Sequence, residues 1–280
     1  MHIDKSNELL NTAVLACIFA GDKILDIYNS NNFNIEYKED ESPLTQADKN
    51  AHDEIVKYLD KTEIPVLSEE GKHLPYDERK KWEYLWVVDP LDGTKEFIKQ
   101  NGEFTVNIAL VQNGLTLMGV IYAPVLKSLY FNDLSGNAFW VDFNFSGREL
   151  EPVLDFIHNK KIKIPLKAKR AYKVVASRSH LSDETKLFIE KLKEKYKNIE
   201  ITSIGSSLKL CLLAGGQADI YPRFAPTMEW DIAAGHAILK AAGGNVLSNE
   251  TGQELQYNKE NLLNPWFIAK TEVLYQGKNK

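Results

Sequence analysis

The sequence predicts a mixed fold in which an α+β half is followed by an α/β half. Two amphipathic helical patterns come first, and short strands joined by tight turns follow them. Beyond a lysine-rich stretch of irregular periodicity, strand and helix patterns alternate along the chain. We therefore expect two units, an α+β half at residues 1–150 and an α/β half at residues 151–280.

The first half begins with two helical patterns. Apolar residues recur three and four positions apart between Leu9 and Tyr28, which indicates an amphipathic helix. A second helix is predicted from about Asp48 to Leu59. Thr45 stands three residues before Asp48, a spacing that is typical of a helix cap.

Strand patterns follow these helices. A short strand is predicted at residues 64–67, and the apolar run Tyr84–Val88 predicts a buried strand that breaks at Asp89-Pro90. Four more strands form a meander, in which Asn113-Gly114 is a strong hairpin signal. These four strands are Phe104–Val111, Leu115–Tyr122, Ser128–Phe131 and Ala138–Phe143.

The second half alternates strands with helices. Pairs of glycines end its last two helices, as is common at helix C-termini. In chain order the predicted elements are the strand Tyr172–Ala176, the helix Asp183–Lys197, the strand Glu200–Thr202, the helix Ser206–Ala214, the strand Ala218–Tyr221 and the helix Asp231–Ala242.

The composition is that of an ordinary globular protein, with 44% hydrophobic and 26% charged residues. A net charge of −5 argues against a dedicated nucleic-acid binder, whose domain is usually basic. No apolar run approaches the ~20 residues of a membrane span, and Cys17 and Cys211 lie in apolar helical patterns. We expect a cytoplasmic protein without an integral membrane segment, and peripheral attachment to the inner membrane stays open.

The most informative segment is Asp89-Pro90-Leu91-Asp92-Gly93-Thr94. Its two aspartates, three positions apart at a strand end, project into one small volume, where ionised carboxylates need a cation. Oxygen ligands suit Mg²⁺ better than zinc or copper. Gly93 allows close approach to a ligand, and Thr94 begins a short predicted helix whose N-terminus could bind an anion. The pattern points to a metal-held phosphate, and a turn that only caps a helix is the alternative.

Two further acidic positions could join this site. Glu69-Glu70 follows the short strand at residues 64–67, and Asp231 begins a helix with several small residues. Taken singly, the glutamate pair is typical of a solvated loop and Asp231 of a helix N-cap. Only their combination with the aspartate segment favours a metal site.

In this order, Glu69, the segment 89–94 and Trp230-Asp231 resemble the inositol-monophosphatase superfamily of Mg²⁺-dependent, lithium-sensitive phosphatases. The long stretch Leu91–Leu110 is similar to the CysQ-type branch, the bacterial 3'(2'),5'-bisphosphate nucleotidases. Three more segments share this similarity, namely Ser177–His180, Ser203–Lys209 and Tyr221–Arg223. The resemblance covers nearly the whole chain and implies the layered α-β-α-β-α sugar-phosphatase fold.

The resemblance implies a site with two or three Mg²⁺ ions. The implied ligands are Glu69, Asp89, the carbonyl of Leu91, Asp92 and Asp231. Asp89 would bridge two ions, and Glu70 would lie behind Glu69. Catalytic roles fall on Glu69, Asp48 and Thr94, of which Thr94 would bind phosphate and, with Asp48, position the attacking water. Two-metal hydrolysis proceeds in line and needs no covalent phospho-enzyme.

The second half carries the implied nucleotide contacts. Ser206 and Lys209 lie at a predicted helix start, and Arg223 and His180 lie at strand ends, where each could bind phosphate or ribose. Taken singly, a strand-end histidine is more often structural and a surface lysine is more often only solvated. The implied substrate-binding set also includes Glu69, Leu91, Asp92, Gly93, Thr94 and Asp231.

The sequence thus predicts a phosphatase that removes the 3'-phosphate from adenosine 3',5'-bisphosphate to give AMP. Activity on 3'-phosphoadenylyl sulfate and a place in sulfate assimilation follow from the resemblance. An inositol- or sugar-monophosphate phosphatase of the same superfamily is one alternative, and a non-catalytic nucleotide-binding regulator is another. A haloacid-dehalogenase phosphatase is disfavoured, because its motif is Asp-x-Asp.

Residues 142–159 are interpreted as an insertion that is either an oligomer contact or a lid. Monomer and homodimer therefore both stay open.

Overall fold

Five alternating layers of helix and sheet make up the molecule. The computed structural model describes residues 3–30, 36–37, 43–72, 74–147, 149–166, 170–176, 182–196 and 198–271. A helix pair, a seven-stranded sheet, a second helix pair, a five-stranded sheet and an outer helix follow one another. This is the layered architecture that the sequence predicts.

The first layer consists of helices α1 (Ile3–Ser30) and α2 (Gln46–Leu59). A two-stranded ribbon, β1 (Glu36–Tyr37) and β2 (Pro43–Leu44), lies between them in the chain. Both helices bury small and apolar side chains against the first sheet. Thr45 caps α2 as expected, since its hydroxyl accepts a hydrogen bond from the Ala47 N–H at 3.2 Å.

The seven-stranded sheet keeps its strands in chain order. They are β3 (Val66–Ser68), β4 (Tyr84–Asp92), β5 (Thr105–Gln112), β6 (Leu115–Ala123), β7 (Ser128–Asn132), β8 (Ala138–Asp142) and β9 (Ile162–Ile164). Strand β3 pairs parallel with β4, and the later neighbours pair antiparallel. Asn113 and Gly114 have φ of 49° and 79°, as a tight hairpin turn requires.

Strand β4 does not end at Asp89-Pro90, which corrects the predicted break. It continues to Asp92, and its register with β5 shifts between Asp89 and Asp92. Pro90 has no N–H to donate to the ladder, so the backbone bulges there and pairing resumes beyond it. Two short helices flank this strand, α3 (Tyr76–Arg79) and α4 (Thr94–Ile98).

Residues 142–159, predicted as an insertion, contain helix α5 (Leu150–Lys160). The helix packs against α1 and buries Val153 and Ile157 in the core of the first sheet. Sequence analysis missed it, although apolar residues three and four apart from Val153 onward are a helical signal. Helix α5 and β9 thus pack with the first half of the chain, and the division at residue 150 stays a prediction.

The five-stranded sheet has the order β11-β10-β12-β14-β13. Its strands are β10 (Tyr172–Val175), β11 (Ile199–Thr202), β12 (Ile220–Arg223), β13 (Gly244–Ser248) and β14 (Phe267–Thr271). Strand β10 pairs parallel with β11 and β12, and β14 pairs antiparallel with β12 and β13. Sequence analysis missed β13 and β14 and placed β12 two residues too early. The outer helix α6 (Asp183–Lys195) covers this sheet.

Helices α7 (Leu208–Ala214) and α8 (Glu229–Ala241) fill the space between the two sheets. Helix α8 lies so close to β6 that a Cβ at Gly119 would overlap the carbonyl oxygen of Ala234. Core residues from both sheets meet on these helices. In the part of the chain that the structure describes, no helix is both long and apolar enough to cross a membrane.

The start of α8 is held by a later segment of the chain. Glu229 is fully buried, and its carboxylate accepts hydrogen bonds from the backbone N–H groups of Asn258 and Lys259. The Lys259 ammonium pairs with the same carboxylate. Arg79, the last residue of α3, donates to Asn258 Oδ1 at 2.6 Å. Buried charge in this region is therefore paired and hydrogen-bonded.

Candidate active site

The predicted metal-binding residues meet where the first sheet ends against the central helices. Glu69 directly follows β3, and its N–H donates to the carbonyl of Val88 at 3.1 Å. Asp89 and Asp92 lie on either side of the bulge in β4, and Asp231 lies in the first turn of α8. Three separate elements therefore bring carboxylates to one place.

Carboxylate oxygens of Glu69, Asp89 and Asp231 lie within 4.8 Å of one another. Asp89 is only 2% exposed, so its charge has little water to stabilise it. Hard oxygen donors grouped in this way fit a divalent cation such as Mg²⁺. The donor set thus fits the metal that the sequence implies.

Burial and crowding raise the pKa values of these carboxyl groups. Burial raises the pKa of Asp89 well above its usual range, and the charges of Glu69 and Asp92 add to the effect. Burial, followed by the charge of Asp92, raises the pKa of Asp231 to about 8. Burial raises the pKa of Asp92 to about 6, against the opposing charge of Lys209. Together the ionised groups need a compensating cation.

A polar chain on β5 holds Asp92. Asn107 Nδ2 donates to Asp92 Oδ2 at 3.4 Å, and Asn107 Oδ1 accepts from Ser207 Oγ at 2.7 Å. Thr105 Oγ1 also donates to Asn107 Oδ1, at 3.0 Å. Asn107 is not among the predicted site residues, although an amide side chain within the apolar run of β5 is a pattern that could have indicated its role.

Thr94 and Asp48 lie together beside the carboxylates. Thr94 Oγ1 lies 3.3 Å from Asp48 Oδ1 and 3.4 Å from the carbonyl oxygen of Leu91, and either can accept its hydrogen bond. The other carboxylate oxygen of Asp48 accepts from the N–H and the hydroxyl of Thr45, at 2.7 and 2.6 Å. Burial raises the pKa of Asp48 to about 6. Asp48 therefore caps α2 and faces Thr94 with the same carboxyl group.

A cleft of about 380 Å³ opens beside these residues. Its lining residues are Asp92, Gly93, Lys95, Glu96, Lys99, Ser206, Ser207, Lys209, Leu210, Tyr221, Arg223, Thr227, Asp231 and Ile232. Gly93 has φ of 95°, and a Cβ there would lie 3.4 Å from Ser206 Cβ. The left-handed backbone at Gly93 favours glycine, and the two halves of the chain meet closely at this point.

Lys209 and Arg223 form what we call the basic wall of this cleft. Lys209 Nζ donates to the carbonyl oxygen of Ser206 at 2.9 Å, and Arg223 Nη2 donates to that of Pro226 at 2.9 Å. Burial lowers the pKa of Lys209, against the opposing charge of Asp92. An ammonium and a guanidinium on one wall can bind a phosphate by charge-assisted hydrogen bonds.

Ser206 lies outside the helix that was predicted to begin there. Helix α7 begins at Leu208, and Ser206 has a left-handed φ of 47°, because the loop turns sharply before the helix. The predicted helix start is therefore wrong. Ser206 nevertheless lines the cleft, and its Oγ is buried without a hydrogen-bond partner in the described structure.

His180 and Glu70 are the two remaining residues that the sequence analysis singled out. His180 lies outside the described residues, so its contact with the nucleotide stays a prediction. The charges of Glu70 and Glu69 both raise the pKa of Asp48, so each acts on the Thr94–Asp48 pair. Sequence analysis gave no role to Lys95 and Lys99, which line the same cleft.

Comparison with known proteins adds independent findings. The sequence model of the inositol monophosphatase family matches residues 5–277. The 3'(2'),5'-bisphosphate nucleotidase CysQ of Salmonella typhimurium is 47% identical over 253 residues, which cover 89% of this chain and 94% of that protein. The protein of the same name from Escherichia coli strain K12 is 44% identical over 252 residues, with the same two coverages.

Among solved structures, the crystal structure of CysQ from Bacteroides thetaiotaomicron is similar throughout. That protein is described as a bacterial member of the inositol monophosphatase family. It shares 51% sequence identity with this chain and has a TM-score of 0.84, over 96% of this chain and 98% of that one. Sequence and backbone comparisons therefore agree.

Proposed function

The chain belongs to the inositol monophosphatase family, and on that premise we propose a metal-dependent 3'(2'),5'-bisphosphate nucleotidase. It removes the 3'-phosphate of adenosine 3',5'-bisphosphate to give AMP and inorganic phosphate. The names of its relatives support a phosphatase with this substrate class. Activity on 3'-phosphoadenylyl sulfate, and a place in sulfate assimilation, belong to the same proposal.

One observation carries the choice of substrate. Asp92 and Asp231 line the same cleft as Lys209 and Arg223, and Asp231 also belongs to the carboxylate cluster. A substrate with one phosphate needs only the carboxylates. A nucleotide with two phosphates can place the scissile one near the carboxylates and the second one on the cations.

Different residues of this chain have different proposed roles in hydrolysis. The proposed metal ligands are Glu69, Asp89, the carbonyl of Leu91, Asp92 and Asp231. Mg²⁺ at these groups would neutralise phosphate charge and acidify the attacking water. Thr94 Oγ1 and Asp48 Oδ1, which lie 3.3 Å apart, would orient that water, and Thr94 would also bind the scissile phosphate. Ser206 and the basic wall hold the second phosphate, so the ester lies in line.

The remaining assignments rest on the same reasoning. We infer two or three Mg²⁺ ions, since four carboxylates and one carbonyl exceed what one ion needs from protein. A reducing, cytoplasmic setting is inferred from Cys17 and Cys211, which are both buried and unpaired. Monomer and homodimer both fit the proposed chemistry.

The proposal is tested by a phosphate-release panel with Mg²⁺ and with EDTA. Adenosine 3',5'-bisphosphate should be hydrolysed with a kcat/KM at least about tenfold above those for inositol 1-phosphate and sugar monophosphates. The Asp92→Asn variant should release no phosphate yet keep its circular dichroism spectrum. Equal turnover of all substrates by the wild type would overturn the choice of substrate, and no turnover of any would favour a binding protein.

The basic wall can be tested separately. Lys209→Met keeps the side-chain volume but removes the charge, so KM for adenosine 3',5'-bisphosphate should rise by about tenfold or more. Turnover of inositol 1-phosphate, however slow, should change little. An equal effect on both substrates would show that Lys209 acts on the scissile phosphate or through Asp92 instead.

A further inference from the structure

We propose that Glu103 sets the preference for substrates with a second phosphate, by holding the loop of residues 203–207 in place. Glu103 lies in the first half of the chain, just before β5, whereas the loop leads into α7 and Lys209. Glu103 does not line the cleft. It is a positioning residue, and its role rests on the proposed function of the basic wall.

The first observation is a direct contact between the two halves. The backbone N–H of Gly205 donates to Glu103 Oε2 at 2.8 Å. Gly205 is a buried residue, so this N–H depends on a protein acceptor rather than on water. The Glu103 N–H in turn donates to Asn101 Oδ1 at 2.9 Å, which fixes the backbone that carries the acceptor.

The second observation is the absence of space between the two segments. A Cβ at Gly205 would lie 2.7 Å from the carbonyl oxygen of Glu103 and 3.0 Å from Glu103 Cβ. A Cβ at Gly93 would lie 3.3 Å from the same carbonyl oxygen. The backbone of Glu103 thus lies against both the aspartate segment and the loop, and sets the distance between them.

The position of the loop affects the position of Lys209 in the basic wall. Ser206 follows Gly205, and its carbonyl oxygen accepts the hydrogen bond of Lys209 Nζ at 2.9 Å. A displaced Gly205 peptide would move that carbonyl and the buried Ser206 hydroxyl with it. Both groups belong to the proposed site for the second phosphate.

A separate contact holds the far end of the loop. Ser207 Oγ lies 2.8 Å from Thr105 Oγ1 and donates to Asn107, whose amide reaches Asp92. Changes at Ser207 would therefore disturb a proposed metal ligand. The Glu103 carboxylate contacts the loop at Gly205, two residues before Ser207, so Glu103 variants test the near end of the loop.

The test compares Glu103→Ala and Glu103→Gln with the wild type on two substrates. Adenosine 3',5'-bisphosphate carries the second phosphate, and 3'-AMP lacks it. Glu103→Ala should raise KM for the bisphosphate by about tenfold, with kcat on both substrates and KM for 3'-AMP unchanged. Gln keeps an oxygen that can accept the Gly205 N–H, so Glu103→Gln should restore most of the preference.

A binding readout removes the chemical step from the test. AMP keeps the 5'-phosphate, so its inhibition constant against 3'-AMP hydrolysis reports the second-phosphate site directly. That constant should rise by about tenfold in Glu103→Ala and stay near the wild-type value in Glu103→Gln. Glu83→Ala is the matched control, because Glu83 accepts from Gln112 Nε2 at the other end of β5.

Gly205→Ala provides a second route if Glu103→Ala does not fold. The added methyl group would press on the Glu103 carbonyl, so the same selective loss is expected. Unchanged selectivity in these variants, or equal losses on both substrates, would overturn the role of Glu103. A wild type that hydrolyses both substrates equally well would instead refute the two-phosphate site, and with it the proposed function.

Discussion

Two aspartates of the candidate site each take part both in a helix cap and in the site with one carboxyl group. Asp48 accepts two hydrogen bonds from Thr45 at the start of α2 and offers its other oxygen to Thr94. Asp231 accepts from the Met228 N–H at 2.9 Å at the start of α8 and also joins the carboxylate cluster. Formation of these helices therefore fixes both carboxylates before any ligand binds.

At the residue scale, two substitutions test the proposed role of the Thr94 hydroxyl. Thr94→Val keeps the shape of the side chain but removes the hydroxyl that faces Asp48, so kcat should fall by about 100-fold. Thr94→Ser keeps the hydroxyl and should retain most of the activity. Phosphate release measures both, and an unchanged melting temperature would show that the fold is intact. Full activity of Thr94→Val would remove Thr94 from the mechanism.

At the scale of elements, the site depends on how closely α8 lies against β6. Gly119 on β6 faces the backbone of Ala234, and Gly235 on α8 faces the side chain of Leu210 on α7. Asp231 lies on α8 and Lys209 on α7. The small residues at these contacts therefore help to set the positions of Asp231 and Lys209, which both line the cleft.

Gly119→Ala should lower the free energy of unfolding by about 1–3 kcal/mol or more, because its methyl group would overlap backbone rather than a movable side chain. Urea unfolding monitored by circular dichroism measures the change. Gly136→Ala is the control, since a Cβ there meets nothing within 4 Å, although its φ of 77° adds some strain. Equal losses in the two variants would mean that replacing a glycine, not contact with α8, accounts for the effect.

Local patterns predicted most of these elements, and long-range contacts explain the exceptions. Periodicity and the Asn113-Gly114 turn predicted α1, α2 and the β5–β6 hairpin, since each depends on neighbouring residues. The bulge at Pro90 depends on pairing with β5, which periodicity does not encode. Similarly, Ser206 leaves the helix because its loop is held by residues about 100 positions earlier.

Site residues that belong to a sequence motif could be predicted, whereas residues that only hold those motif residues in place could not. The aspartate segment and its resemblance led to Asp89, Asp92 and Asp231. The structure places Asp89 and Asp231 in one cluster, and the charge of Asp92 raises the pKa of Asp89. Asn107 and Glu103 would act through other residues, so no characteristic spacing in the sequence marks their positions. Their roles become visible only when the loop before α7 is seen against β5.

At the scale of the whole molecule, metal binding and stability are linked through pH. The pKa of Asp231 is raised from 3.8 to about 8, and those of Asp92 and Asp48 to about 6. Between about pH 4 and pH 8, the folded state therefore binds more protons than the unfolded chain. The free energy of unfolding of the metal-free protein must then fall as the pH rises through this window.

We expect the melting temperature in EDTA to drop by about 5 °C or more between pH 5 and pH 8. Saturating Mg²⁺ should reduce this drop, because it binds the ionised carboxylates of the folded state. Scanning calorimetry at several pH values measures both series. Asp231→Asn should flatten the EDTA series, and parallel curves with and without Mg²⁺ would contradict the linkage.

The contact of Glu229 with Asn258 and Lys259 has a consequence for the order in which the protein is made. On a ribosome, Glu69, Asp89 and Asp92 emerge long before the segment that secures the start of α8. Asp231 can take its final position only after residue 259 has left the exit tunnel. A nascent chain therefore exposes Glu69, Asp89 and Asp92 before Asp231 can join them.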